Sequence, residues 1–105
     1  MMPRWILPIV AALDLGISVS AQAATLQITM DNLVFSPAEA TAKVGDTIEW
    51  INKDVLAHTA TERSGDWDVT IAPKKTATSV LKKAGTTDYY CRFHPNMKAV
   101  LNVAP

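Results

Sequence analysis

The chain has 105 residues, with ten basic and ten acidic side chains and a formal charge of zero. That length accommodates one domain and not two. The absence of net charge or any basic block excludes a nucleic-acid binder held by a positive field, and the single cysteine, Cys91, excludes an internal disulfide framework.

Residues 1–23 read as an export signal. Arg4 gives a positive start, Trp5 to Leu13 form an apolar run, and Ala21-Gln22-Ala23 is a small-residue cleavage site of the A-x-A kind. Asp14 interrupts the apolar stretch, but the run before it has the length a signal core needs. It falls well short of the roughly 20 apolar residues that span a bilayer. Cleavage is therefore expected before Ala24, leaving residues 24–105 as one domain with no membrane span. Cleavage removes one charge of each sign, Arg4 and Asp14, so the mature domain stays neutral.

From Ala24 onward the pattern is one of short strands. Leu26, Ile28 and Met30 alternate with polar residues, the period of a half-buried strand. Turn signals follow at Ser36-Pro37, Gly45-Asp46, Lys53-Asp54, Ser64-Gly65-Asp66, Pro73-Lys74-Lys75 and Gly85-Thr86. Between them strands are predicted over 47–52, 57–62, 76–81, 88–92 and 98–103. No stretch carries the 3.6-residue period of a long helix. Strands at this spacing predict an all-β sandwich. Because strand side chains alternate faces, Tyr89 and Cys91 are expected to point inward together. Ile48 and Trp50 form a second inward pair, with Glu49 and Tyr90 outward.

The chemistry concentrates in Cys91-Arg92-Phe93-His94-Pro95-Asn96-Met97, where a thiol, an imidazole and a thioether lie within seven residues between two strand-like runs. The one other histidine, His58, lies far upstream. Two histidines, one cysteine and a weak axial methionine are the donor set of an electron-transfer copper site. Singly, each residue has an ordinary role: buried Cys and Met fill cores. Their joint spacing carries the reading. Zinc also takes Cys and His, but a thioether suits it poorly and the loop holds no carboxylate. A nucleophilic Cys/His pair leaves Met97 unexplained and has no evident oxyanion device. The Cys-x-x-Cys-His of haem attachment and the several cysteines of an iron–sulfur site are absent.

The Cys-x-x-His-x-x-Met loop with its upstream histidine resembles the cupredoxin family, with the short loop spacing of amicyanin. The resemblance runs over most of the mature chain. Val44-Gly45-Asp46-Thr47-Ile48-Glu49-Trp50-Ile51-Asn52 is similar to the family strand before the first histidine ligand, and Ala84-Gly85-Thr86-Thr87-Asp88-Tyr89-Tyr90-Cys91 to the run into the loop.

The resemblance implies a Greek-key β-sandwich of about eight strands and one copper per chain, bound by His58, Cys91, His94 and Met97. It implies a monomeric, non-enzymatic electron carrier of the bacterial periplasm, plastocyanin-like in its work. Its partners would be redox proteins: a periplasmic dehydrogenase or oxidase on one side, a c-type cytochrome or terminal enzyme on the other. It also implies that Asn52 ties the His58 segment to the loop, that the Thr59 N–H reaches the thiolate, and that His94 is the electron port. The port would be rimmed by Leu33, Leu56, Phe93, Pro95 and Met97. Three residues depart from amicyanin: Ala57 and Phe93 stand where it has Pro, and Thr59 where it has Asn. The two changes that flank His58, Ala57 and Thr59, are expected to loosen its strand, and Phe93 to change what surrounds the exposed His94. The competing function is a copper carrier or scavenger without redox turnover. Such a carrier would use exchangeable, Met- or His-rich sites, whereas Met30 is the only other methionine of the mature chain.

Overall fold

The computed structural model describes residues 22–105. They form nine strands: β1 (Thr25–Asp31), β2 (Val34–Ser36), β3 (Glu39–Lys43), β4 (Thr47–Asn52), β5 (His58–Glu62), β6 (Asp68–Ile71), β7 (Thr76–Val80), β8 (Gly85–Cys91) and β9 (His94–Ala104). The expected leader, apart from Gln22 and Ala23, lies outside the described residues.

The strands make two sheets, ordered β2-β1-β4-β7 and β3-β9-β8-β5-β6. β1 runs parallel to β4 and β3 parallel to β9; the other pairs are antiparallel. The sandwich anticipated from spacing is therefore present, with nine strands rather than about eight. The strands β2, β3 and β6 fall between those expected from the sequence, and Gly85-Thr86, read as a turn, opens β8 instead.

The inward faces follow the period of two. On β4, Ile48 and Trp50 are fully buried, and on β8 so are Tyr89 and Cys91. Their neighbours Glu49 and Tyr90 are half-buried rather than free in solvent. Glu49 accepts a hydrogen bond from Gln27 on the adjacent strand, and the Arg63 guanidinium lies 4.4 Å from the Tyr90 ring centroid. At the centre Phe35, Trp50 and Tyr89 meet edge to face, with centroids 4.8–6.4 Å apart. Such pairs add about 0.5–1.5 kcal/mol each beyond the area they bury. The Trp50 indole N–H donates to Ser79 Oγ at 2.9 Å. Burial pushes the Tyr89 phenol well above its ordinary range, so it stays a neutral hydroxyl.

One irregularity in this ladder builds the functional end. Tyr90 pairs with Lys98, and a regular antiparallel ladder would next set Cys91 opposite Met97. Cys91 instead pairs with His94, and the register slips between Tyr90 and Cys91. Pro95, which has no N–H to give a ladder, sits in the slipped segment. The slip draws His94 back beside Cys91 and leaves Met97 facing inward, 4% exposed, at the head of the buried series Ala99, Leu101 and Val103.

Candidate metal centre

Three strand ends meet at one end of the sandwich: the start of β5 brings His58, the end of β8 Cys91, and the start of β9 His94. His58 Nδ1 lies 3.8 Å from Cys91 Sγ, and His94 Nδ1 lies 3.7 Å from it. The three donor atoms fall within 4.8 Å of one another. Among the described residues this is the one group of three or more His, Cys, Asp or Glu side chains that could hold a metal ion. Metal–N and metal–S bonds of about 2.0–2.3 Å, spread at the roughly 120° of a trigonal site, place N and S about 3.7–3.8 Å apart. The observed N···S separations match that triangle. The side chains therefore fit a trigonal metal site without rearrangement, and Met97 packs buried on the same inward face.

The orientation of His58 is set from behind. Its Nε2 lies 2.7 Å from Asp54 Oδ2. A carboxylate only accepts, so Nε2 carries the proton and the Nδ1 lone pair faces Cys91. A carboxylate behind a ligating imidazole fixes its tautomer and raises its basicity. Asp54 is itself held firmly: its two oxygens accept the backbone N–H groups of Asn32 at 2.7 Å and Leu33 at 3.0 Å. Both residues have positive φ, at the turn between β1 and β2. Desolvation works to raise the Asp54 pKa, but the bonds from His58, Leu33 and Asn32 outweigh it and hold the carboxyl below the usual range. The sequence reading did not single out Asp54 in this role. Its signal was a carboxylate four residues before His58, in the segment between strands.

The cysteine is engaged from β5. The Thr59 N–H donates to Cys91 Sγ at 3.3 Å, as expected. The Thr59 side chain then spans the gap to the loop by accepting the Arg92 N–H at 2.8 Å. The expectation that Thr59 and Ala57 loosen this strand is corrected: β5 is locked to the loop by Thr59 itself. Asn52 does not tie to the loop either. Its amide donates to the carbonyls of Leu56, Ile71 and Ala72 at 2.8–3.2 Å, and its carbonyl accepts the Asp54 N–H. It therefore braces the approach to His58 against the end of β6, because Asn52 continues the inward-facing series of Ile48 and Trp50 on β4.

A ring of polar groups extends from Thr59. Thr61 Oγ1 lies 2.9 Å from Thr59 Oγ1 and 2.7 Å from Asp68 Oδ1. Since Asp68 can only accept, the Thr61 hydroxyl donates to it, the Thr59 hydroxyl donates to Thr61, and the Arg92 N–H donates to Thr59. The Arg92 guanidinium closes the ring on Asp68 at 3.2–3.3 Å.

His94 is half-buried. It shares a shallow cleft of about 420 Å³ with Leu33, Phe93, Pro95, Asn96 and Met97. Leu33, Leu56 and Phe93 are 43–50% exposed, so the apolar rim is present with one correction. Met97, expected in it, is buried, because it continues the inward-facing series of Ala99, Leu101 and Val103 on β9. A larger hollow of about 510 Å³ lies at the opposite end, beside Trp67, between Glu62, Thr87 and Val103, and holds no comparable donor set.

The comparisons with known proteins agree with this geometry. The family model for the cupredoxin-like domain matches residues 5–103. The chain is 31% identical over 100 residues to a chloroplastic plastocyanin of Tetradesmus obliquus, an alignment covering 81% of this chain and 68% of that protein. Among solved structures, amicyanin from Paracoccus versutus superposes with a TM-score of 0.65 at 25% identity, covering 81% of this chain and 84% of that one. The reduced state of an amicyanin mutant with a proline replaced by phenylalanine gives 0.64 at 26%, covering 81% and 85%. A purple cupredoxin from Nitrosopumilus maritimus, at 23% identity, shares the fold with a TM-score of 0.66 over 75% of this chain and 99% of that one. The chain belongs to the cupredoxin family of copper-binding electron-transfer proteins.

Proposed function

We propose that the protein is an exported carrier of single electrons in the bacterial periplasm, with one copper held by His58, Cys91, His94 and Met97. The observation that carries the reading is the triangle of His58 Nδ1, Cys91 Sγ and His94 Nδ1, with N···S separations of 3.7–3.8 Å. Copper, when bound, supplies a one-electron Cu(I)/Cu(II) couple. The chain supplies the rest. The Asp54 carboxylate and the Thr59 N–H fix the imidazole and the thiolate before metal arrives. A site made rigid in this way has little to rearrange when charge changes, which favours fast transfer. His94 is the half-exposed edge of the site, and Leu33, Leu56, Phe93 and Pro95 exclude water around it, so that a redox partner docks there.

The partners are a periplasmic dehydrogenase or oxidase and a c-type cytochrome or terminal enzyme, and the carrier works as a monomer. Residues 1–23 are the export signal, cut before Ala24, immediately ahead of β1. Burial of His58, Cys91 and Met97, each at most 4% exposed, opposes the ready exchange that a copper scavenger needs. A site with four protein donors leaves no open position for a substrate, in contrast to catalytic metal sites. Titration of the mature protein with Cu(II) tests the reading. An intense blue thiolate-to-copper band and a reversible one-electron couple are expected. A colourless complex, or one that cannot be reversibly reduced, overturns it.

A further inference from the structure

At the end of the sandwich away from the metal centre, a carboxylate is buried against the start of β1. Asp46, in the turn between β3 and β4, is 5% exposed. Its Oδ1 accepts the Ala24 N–H at 2.8 Å and its Oδ2 the Lys43 N–H at 2.9 Å. It makes no ion pair among the described residues. The Ala24 carbonyl accepts the Thr47 N–H at 2.9 Å, and the β1–β4 ladder begins one residue later, at Thr25 and Thr47. Ala24 is thus pinned at both its backbone nitrogen and its oxygen.

We propose that Asp46 is the receptor for the amino terminus created by cleavage between Ala23 and Ala24. The inference rests on the export reading above and adds a role that the reading does not contain. In the uncut chain the atom facing Asp46 Oδ1 is a neutral amide nitrogen. Hydrolysis of the Ala23–Ala24 peptide adds water across that bond, leaving a carboxylate on Ala23 and an α-ammonium on Ala24. The same nitrogen, already at hydrogen-bond distance, becomes a cation. Neutral backbone donors already hold this carboxylate in its charged form, and a charged donor at the same hydrogen-bond distance binds a carboxylate more strongly than a neutral one. Gln22 and Ala23 line a shallow groove with Lys43, Val44, Asp46 and Pro105, and their departure opens it for the two new N–H donors. The position of the cut comes from the small-residue pattern alone, and the position of the receptor from the fold. They meet at one atom.

The charged groups around this amine are Asp46, which favours its protonated form, and Lys43 on β3, which opposes it. Lys82 follows Leu81, whose N–H binds the Asp46 carbonyl at the end of β7. Pro105 borders the groove beyond β9. The Ala24 N–H is the largest cause holding the Asp46 carboxyl below its ordinary range. An α-amine titrates near 7.7–8.0 when free. Pairing raises that value, so the stabilisation is complete below about pH 8 and disappears as pH rises through the raised value.

The test is to express the full chain with its own leader in an exporting host and take the intact mass of the exported product. A mass beginning at Ala24 is expected. Acetylation of the α-amine should then lower the thermal midpoint by roughly 4–8 °C, a difference that shrinks at alkaline pH. In Asp46→Asn, whose amide can still accept the Ala24 N–H, the same acetylation should change nothing further. A product with a different first residue refutes the cleavage reading. A product that begins at Ala24 but has a midpoint indifferent to acetylation, or equally sensitive in Asp46→Asn, refutes the ion pair.

Discussion

Thr59 touches the loop twice: its backbone N–H reaches Cys91 Sγ at 3.3 Å and its hydroxyl oxygen takes the Arg92 N–H at 2.8 Å. β5 and β8 are paired only at their far ends, Thr61 with Tyr90 and Glu62 with Tyr89. Thr59 therefore holds together the end of the sandwich where the ladder has parted, and it does so from the residue next to His58.

Thr59→Val, which keeps the shape and removes the hydroxyl, is expected to leave the Arg92 N–H without its acceptor in a half-buried setting. That costs about 1–3 kcal/mol, visible as a lower midpoint of the metal-free protein. It also frees the Thr59 N–H to drift from the thiolate. Hydrogen bonds to a ligating sulfur tune its electron donation, so the blue band and the reduction potential should both shift. A drop in midpoint with band and potential unmoved would reduce Thr59 to a purely structural part.

The cluster of His58, Cys91 and His94 was legible in the sequence because few residues of these types are present and Cys91 and His94 lie close together in one loop. The strands carrying Ile28, Ile48, Trp50 and Tyr89 were legible because large apolar residues alternate there. β3 was not, since its buried residues are Ala40 and Ala42, too small to mark an apolar face. β2 has only three residues and β6 four. The supports of the site were harder still. Asp54 reaches His58 through a turn, while Thr59, Thr61, Asp68 and Arg92 close their ring through the pairing of β5 with β6 and the slip between β8 and β9. Those registers are tertiary facts. Asn52 was assigned the right neighbourhood and the wrong partner for the same reason.

Cys91→Ser should abolish the blue colour on adding copper while the fold survives. The alcohol is a far weaker donor than thiolate, and the charge-transfer band needs sulfur. The core around Phe35, Trp50 and Tyr89 does not depend on that side chain, so the circular dichroism of the metal-free variant should match the parent. A retained blue band would remove Cys91 from the ligand set.

Met97→Leu should keep a blue site and raise the potential. His58, Cys91 and His94 still supply the trigonal donors, and loss of an axial thioether removes electron density that favours Cu(II). The swap conserves volume at a position 4% exposed, so the stability cost should stay below about 1.5 kcal/mol. A potential equal to that of the parent would show that Met97 is core filling and not a donor.

The stability that three carboxylates give the metal-free protein should be lost only in acid. Backbone N–H groups of Ala24 and Lys43 hold the Asp46 carboxyl below its ordinary 3.8. At Asp54 the desolvation that raises the value is outweighed by bonds from His58, Leu33 and Asn32, and at Asp68 the Thr61 hydroxyl leads and Arg92 adds to it. For a carboxyl whose folded value is depressed, the unfolded chain binds the proton first. The stability it contributes is present above the unfolded value of about 3.9 and is lost as pH falls through the lower folded value. The thermal midpoint of the metal-free protein should therefore lose the contribution of these three carboxylates only below about pH 4. Asp68→Asn loses the ion pair with Arg92 but still offers Thr61 an acceptor. Its midpoint should start slightly lower near neutrality, since Asp68 is 46% exposed and its ion pair is partly screened, and it should fall less steeply in acid. An acid decline in Asp68→Asn as steep as the parent's would show that the Thr61–Asp68–Arg92 contacts contribute nothing to the folded state's hold on that carboxylate.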